Sequence, residues 1–162
     1  MVLAADDSVV ARNLIEKGLE AMGVHFIMTK SGKEAWERLN SIADGAKAEG
    51  LPVSDRVAMV LTDLEMPEMD GFTLTRKIKQ DARFAKIPVV IHSSLTGKTN
   101  EDHVKGVGAD AYVAKFSAED LASTIRTVIA IVQEFAAAGK PIARGLRRRY
   151  SGARPPAIAS AW

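Results

Sequence analysis

Short apolar segments alternate with longer amphipathic segments five times along the chain, and this alternation constrains the fold more than any other feature of the sequence. Each short segment is almost entirely apolar, which is typical of a strand that is covered on both faces. The predicted strands are residues 2–5, 24–28, 57–61, 89–91 and 111–114. The longer segments carry apolar residues at helical spacing and cover residues 9–22, 31–48, 74–80, 101–107 and 118–137. The pattern predicts an α/β fold in which helices cover both faces of a parallel sheet.

Among doubly wound sheets, five strands fit the flavodoxin-like order 2-1-3-4-5, here with five helices. The residues that stand where helix N-caps are expected are Ser8, Ser31, Asn100 and Ser117. Residues 44–55 are polar and contain glycine, and they lengthen the connection to the third strand. We therefore expect a surface insertion there.

Composition excludes several classes of protein. The chain has 162 residues and no cysteine, which rules out disulfides, thiolate metal sites and cysteine nucleophiles. No segment approaches the roughly 18 apolar residues that a membrane helix needs. The N-terminus lacks the basic and apolar regions of a signal peptide. We expect a cytoplasmic protein without membrane insertion.

Residues 1–138 form the predicted domain, and residues 139–162 form a separate basic tail. The tail has no acidic residue and contains Lys140, Arg144, Arg147, Arg148, Arg149 and Arg154. Without these six, 16 of the 22 basic residues remain against 20 acidic ones, so the domain itself is acidic. Such asymmetry can mark a nucleic-acid or membrane-binding tail. Scattered proline and glycine without an apolar period favour a disordered extension or translated cloning sequence, so no nucleic-acid partner is required.

Polar side chains follow four predicted strands, at the sheet edge where ligands bind in this topology. Asp6 and Asp7 follow the first strand, Asp63 the third, Ser93 and Ser94 the fourth, and Lys115 the fifth. Clustered carboxylates repel one another unless a cation neutralises them, and hard oxygen ligands suit Mg²⁺. Taken alone, the pair after the first strand favours helix capping by Asp7 or Ser8. Together with Asp63 and Lys115, it predicts a phosphate site that depends on Mg²⁺.

Residues 63–71, DLEMPEMDG, are similar to the DxxMPxMDG signature of two-component response-regulator receiver domains. The resemblance covers roughly residues 1–137. It implies that Asp63 accepts a phosphoryl group from a histidine kinase. It further implies that Mg²⁺ is held by Asp6, Asp7, Asp63 and the backbone carbonyl of Glu65. Ser93 and Lys115 would bind the phosphoryl oxygens, and Tyr112 would follow Ser93 as a switch. The domain would catalyse only its own phosphorylation and dephosphorylation.

Several segments, including residues 9–23 and the IHSSLTG of residues 91–97, resemble the receivers of CheV-type chemotaxis coupling proteins. The resemblance implies a role in chemotaxis, with a CheA-like histidine kinase and chemoreceptor array proteins as partners. Such receivers usually follow a CheW-like adaptor, and we therefore expect this chain to be a fragment of a longer protein.

One position departs from the family. Receivers usually have a lysine followed by a cis proline at the end of the fifth strand, whereas this chain has Lys115 followed by Phe116. A cis bond without proline costs about 2.5–4 kcal/mol, so we expect a trans bond.

Three alternatives belong to other classes of protein. Phosphatases with an aspartyl nucleophile carry a second aspartate two residues after the first, where this chain has Glu65. Residues 97–99 imitate the end of a P-loop, but His92 stands where the first glycine of that motif is required. A protein-binding module that works without phosphorylation would not need the full set of acids, hydroxyl and lysine. His25, His92 and His103 lack zinc-site spacing and receive no chemical role.

Overall fold

The computed structural model describes residues 1–93 and 98–114, together with residues 126, 130 and 160–161. Five parallel strands lie in the order β2-β1-β3-β4-β5. They are β1 (Val2–Ala5), β2 (Phe26–Thr29), β3 (Met59–Asp63), β4 (Val89–Ser93) and β5 (Ala111–Ala114). This confirms the predicted class and strand order. A two-residue strand, β6 (Ser160–Ala161), pairs antiparallel with β5.

The strand register brings the carboxyl ends of the central strands together. Ala5 pairs with Thr62, so the next residues, Asp6 and Asp63, lie side by side. Asp63 in turn pairs with His92. The residues at the carboxyl ends of β1, β3 and β4 therefore lie next to one another at one edge of the sheet.

The described helices are α1 (Val9–Ala21), α2 (Gly32–Ala48), α3 (Gly71–Gln80) and α4 (Lys98–Gly106). The first two begin at predicted caps, because the hydroxyls of Ser8 and Ser31 accept hydrogen bonds from the N–H groups of Ala11 (3.3 Å) and Glu34 (3.1 Å). Of the predicted fifth helix, only residues 126 and 130 are described, and both are helical. The predicted cap Ser117 lies outside the described residues.

Two predicted helix starts are wrong. The apolar spacing placed the start of the third helix at Leu74, but α3 begins at Gly71 because the Asp70 carboxylate accepts the Thr73 N–H at 2.7 Å and caps it. α4 begins at Lys98, so Asn100 lies inside the helix and is not its N-cap.

Two predicted strands also begin too early. Val24 precedes β2 and donates its N–H to Leu19 at the end of α1, at 3.0 Å. Val57 precedes β3 and donates its N–H to Val53 at 2.9 Å. Both valines continue an apolar run in the sequence, but their N–H groups form turn hydrogen bonds and not hydrogen bonds to a neighbouring strand.

Each face of the sheet carries its own apolar layer. On one face Leu3, Val60 and Ile91 pack with buried residues of the helices α2, α3 and α4, namely Leu39, Leu74, Ile78 and Val104. On the other face Ala4, Leu61, Val90 and Val113 pack with Ile15 and Leu19 of α1. Successive residues of a central strand face opposite layers, so the strand is apolar on both faces up to its polar carboxyl end.

The predicted insertion at residues 44–55 is partly regular structure. α2 continues through Ala48, and Gly50 then takes a positive φ of 73°. A short 3-10 helix follows at Val53–Asp55, where Val53 is buried in the core. The insertion is therefore anchored to the domain by an apolar side chain.

Two expectations concern regions that the structure describes little or not at all. In the predicted tail, only Ser160 and Ala161 are described, and they lie in the sheet opposite Tyr112 and Ala111. The separation of residues 139–162 from the domain stays a prediction. The Lys115–Phe116 bond lies outside the described residues.

Among the described helices, none is both long and apolar enough to pass through a bilayer.

Candidate functional site

Asp63 ends the central strand β3 and is only 5% exposed. Its Oδ1 accepts the Leu64 N–H at 2.7 Å, which fixes the orientation of the carboxylate. The Thr62 hydroxyl donates to the Asp63 carbonyl oxygen at 2.9 Å. A rigid strand and two local hydrogen bonds thus hold the predicted phosphoacceptor at the crevice.

The loop after Asp63 folds back on β3. Gly71 donates its N–H to the Leu64 carbonyl at 2.8 Å, and Met69 donates to Pro67 at 2.7 Å. Glu68 takes a positive φ of 67° at the turn. The Glu65 side chain is exposed in this loop, and the predicted ligand at this residue is the backbone carbonyl and not the side chain. Its predicted role as a carbonyl ligand stays a prediction.

Asp6 is fully buried beside Asp63, whereas Asp7 is exposed. Asp6 Oδ1 accepts the Ser8 N–H at 2.8 Å. The Arg12 guanidinium donates to the Asp6 carbonyl oxygen at 3.0 Å, which brings a positive charge to the end of β1. The capping alternative holds for Ser8, which caps α1. Asp7 makes no such cap: the Ala11 N–H is accepted by the Ser8 hydroxyl.

Two further predicted site residues, Ser93 and Tyr112, lie on β4 and β5. Ser93 ends β4 and is buried. Tyr112 of β5 is buried in the apolar layer that contains Ile91, its partner on β4. Lys115 and Ser94 lie outside the described residues. The structure therefore brings Asp6, Asp63 and Ser93 to one edge and says nothing of the lysine.

Sequence reasoning missed His92. Its side chain is buried, and its Nδ1 lies 3.6 Å from Asp6 Oδ2. Ligand atoms of Asp6, Asp63 and His92 all lie within 4.8 Å of one another. No single segment of the sequence marks this residue, because only the register of the folded sheet pairs His92 with Asp63 and turns both side chains to the same face.

A parallel sheet of order 2-1-3-4-5 with two buried aspartates at the carboxyl ends of β1 and β3 defines the CheY-like class of α/β signalling domains. The model of the response regulator receiver domain family matches residues 2–126. The chain belongs to this family, as its nine-residue motif predicted.

Among curated proteins, chemotaxis protein CheV1 of Helicobacter pylori is 32% identical over 127 residues, which cover 77% of this chain and 36% of CheV1. Chemotaxis protein CheY1 of the same species is 29% identical over 130 residues, 79% of this chain and 95% of CheY1. The matched region thus spans little more than a third of CheV1 but nearly all of CheY1. The chain is a receiver domain of the CheY and CheV type.

Solved structures agree with this assignment. CheY4 of Vibrio cholerae superposes with a TM-score of 0.63 at 26% identity, covering 78% of this chain and 96% of CheY4. The receiver domain of the histidine kinase CKI1 from Arabidopsis thaliana, complexed with Mg²⁺ and BeF₃⁻, gives a TM-score of 0.67 at 28% identity. It covers 80% of this chain and 89% of the CKI1 domain.

Proposed function

We propose that this domain accepts a phosphoryl group on Asp63 from a histidine kinase, in the presence of Mg²⁺, and so acts as a phosphorylation switch in chemotaxis. The observation that carries the proposal is the position of Asp63. Its carboxylate ends the central strand, is oriented by the Leu64 N–H, and lies beside the buried Asp6.

The chain's own chemistry is nucleophilic attack by a carboxylate. A carboxylate oxygen of Asp63 forms a bond to phosphorus while the bond from phosphorus to the donor imidazole nitrogen breaks. The electron pair stays on that nitrogen, and the product is an acyl phosphate on Asp63. Phosphoryl transfer needs an aligned nucleophile and positive charge near the oxygens more than it needs further covalent chemistry.

The residues present fit a divalent cation. Two buried neighbouring carboxylates repel each other unless a cation lies between them, and their oxygens are the ligand type that Mg²⁺ prefers. We assign Mg²⁺ to Asp6, Asp7, Asp63 and the Glu65 carbonyl. When bound, Mg²⁺ would neutralise these carboxylates and the phosphoryl oxygens. The similar CKI1 receiver domain, which is complexed with Mg²⁺ and BeF₃⁻, supports this assignment.

Ser93 supports the proposal by its position, since its buried side chain stands at the end of β4, next to the strand that carries Asp63. We propose that the Ser93 hydroxyl donates a hydrogen bond to a phosphoryl oxygen. We propose that the Lys115 ammonium compensates the negative charge of the phosphoryl group. Tyr112 would shift with Ser93 and transmit phosphorylation to the face of α4 and β5.

The kinase and the pathway are inferred from relatives. Both CheV1 and CheY1 are named chemotaxis proteins, which supports a CheA-like kinase and chemoreceptor array proteins as partners. The domain would catalyse only its own phosphorylation and dephosphorylation, acting on no separate substrate.

The test is to incubate the chain with acetyl phosphate, with and without Mg²⁺, and to measure its intact mass. We expect one added phosphoryl group that requires Mg²⁺ and is removed by hydroxylamine. Asp63→Asn should abolish the addition without unfolding the domain, because the amide keeps the size of the carboxylate but not its charge. Asp6→Asn and Asp7→Asn should slow it. Asp55→Asn, at an exposed position in the 3-10 helix, is the matched control.

A labile, metal-dependent phosphate on Asp63→Asn would show that Asp63 is not the acceptor. If the wild-type chain gains no phosphate but binds chemotaxis proteins, the alternative hypothesis of a protein-binding module that works without phosphorylation is correct. Sustained hydrolysis of an aryl phosphate, lost in Asp63→Asn, would instead favour the phosphatase.

A further inference from the structure

His92 shares a row with the two buried aspartates. Ala5 pairs with Thr62, so Asp6, the residue after β1, lies beside Asp63, and Asp63 of β3 pairs with His92 of β4. Residues level with one another in adjacent strands point to the same face of a sheet. The three side chains therefore lie on the same face of the sheet, and all are at least 95% buried.

The distances suit a shared ion. His92 Nδ1 lies 3.6 Å from Asp6 Oδ2, and one ligand atom from each residue lies within 4.8 Å of the others. Donor atoms on one first-row ion stand about 3–4 Å apart, since each bond is about 2.1 Å long. Side-chain rotations that shorten the longest of these separations by about 1 Å would bring all three donor atoms within reach of one ion.

The chemistry of the set differs from that of an all-oxygen site. Mg²⁺ prefers carboxylate, carbonyl and water oxygens, whereas imidazole nitrogen suits Zn²⁺, Ni²⁺, Cu²⁺ and iron. For a given site of nitrogen and oxygen ligands, the affinity for divalent ions rises from Mn²⁺ through Co²⁺ to Cu²⁺. A nitrogen ligand should therefore strengthen binding of these ions and leave that of Mg²⁺ unchanged.

We propose that His92, with Asp6 and Asp63, makes this crevice a mixed nitrogen and oxygen site that binds divalent first-row transition ions directly through the imidazole. The inference rests on the proposed function in that it uses the same two aspartates. It adds a ligand outside the DLEMPEMDG motif and a second class of ion.

The first experiment is a calorimetric titration of the full chain with Co²⁺ and, separately, with Mg²⁺. We compare the wild type with His92→Gln and with His103→Gln, a matched control at an exposed histidine of α4. His92→Gln should weaken Co²⁺ binding by at least about 10-fold, the scale on which even supporting residues of metal sites act. Mg²⁺ binding should stay within about 2-fold, because Mg²⁺ uses the oxygens. His103→Gln should change neither.

Two outcomes of the titration overturn the inference. If His92→Gln leaves Co²⁺ affinity unchanged, His92 is not a ligand. If it weakens Co²⁺ and Mg²⁺ by the same factor, His92 only positions Asp6.

A second measurement does not require the His92 variant to fold. Replacing His25 and His103 by glutamine leaves His92 as the only one of the chain's three histidines. Pulsed electron paramagnetic resonance of bound Mn²⁺ should then show nitrogen coupling that changes when histidine is labelled with ¹⁵N. Absence of this coupling overturns the inference.

Acetyl phosphate labelling with Mg²⁺, run in parallel, separates the two proposals. If the chain is phosphorylated but bound Mn²⁺ shows no nitrogen coupling, the phosphoacceptor function stands and the transition-metal site is wrong. If nitrogen coupling is seen but the chain is not phosphorylated, the transition-metal site stands and the phosphoacceptor function is wrong.

Discussion

Gly71 lies where the loop after Asp63 closes against β3. A Cβ atom at this position would overlap the Asp63 carbonyl oxygen and press on Leu64. The Gly71 N–H also donates to Leu64 at 2.8 Å. The backbone of the phosphoacceptor and the first residue of α3 can approach this closely only because position 71 has no side chain.

We predict that Gly71→Ala lowers the free energy of unfolding by about 1–3 kcal/mol, the range for overpacking a buried position. It should also slow acetyl phosphate labelling, because relief of the overlap moves the Asp63 backbone. Urea denaturation and intact mass measure the two effects. Gly45→Ala is the control: its Cβ meets no described atom within 4 Å, and α2 should gain about 0.5–1 kcal/mol. Equal stability of the two variants would contradict the argument from the overlap.

At the scale of elements, a buried ion pair joins α3 to the start of β4 and β5. Lys79 Nζ lies 2.7 Å from Asp110 Oδ2 and donates to the Ile87 carbonyl at 2.8 Å. The same Asp110 oxygen accepts the Val89 N–H at 2.8 Å. The side chains are only 16% and 4% exposed. The pair therefore closes the end of the sheet opposite the crevice.

We predict that Lys79→Met lowers the free energy of unfolding by about 3 kcal/mol, because it leaves the Asp110 carboxylate buried without its cation. Labelling at the distant crevice should stay normal in the folded protein. Arg76→Met, at an exposed position of the same helix, should change stability by less than about 0.5 kcal/mol.

The double variant with Asp110→Asn tests the coupling. It should cost less than the sum of the two single changes, since each single change leaves one buried charge without its partner. Additive losses in the denaturation measurements would show that the two side chains act independently.

The elements also show which local signals could be read from the sequence. Ser8 and Ser31 were recognised as caps because each precedes an apolar period. Asp70 was not, because its helix opens with Gly71, Phe72 and Thr73, and the apolar period begins at Leu74. In that turn the capping carboxylate, rather than apolar burial, sets where the helix begins.

For the molecule as a whole, the alternation of elements was sufficient for the class and strand order, since buried parallel strands are apolar on both faces. The meeting of Asp6 and Asp63 at one sheet edge could be predicted, because each follows or ends an apolar strand. His92 could not, because the predicted fourth strand ends at Ile91 and only the register of the folded sheet sets His92 beside Asp63. Register depends on how the whole sheet packs, which no single segment determines.

The last prediction concerns the basic tail at residues 139–162. Its only described residues, Ser160 and Ala161, pair with the edge strand β5, and a two-residue pairing adds little stability by itself. We therefore expect that truncation after residue 138 lowers the melting temperature by no more than about 3 °C, the shift that about 1 kcal/mol produces in a chain of this size. Acetyl phosphate labelling should not change. A second truncation, after residue 159, removes β6 together with the last residue of the chain and serves as the control. A loss of more than about 5 °C in both truncations would show that β6 is integral to the sheet. The same loss only in the shorter chain would assign that role to residues 139–159.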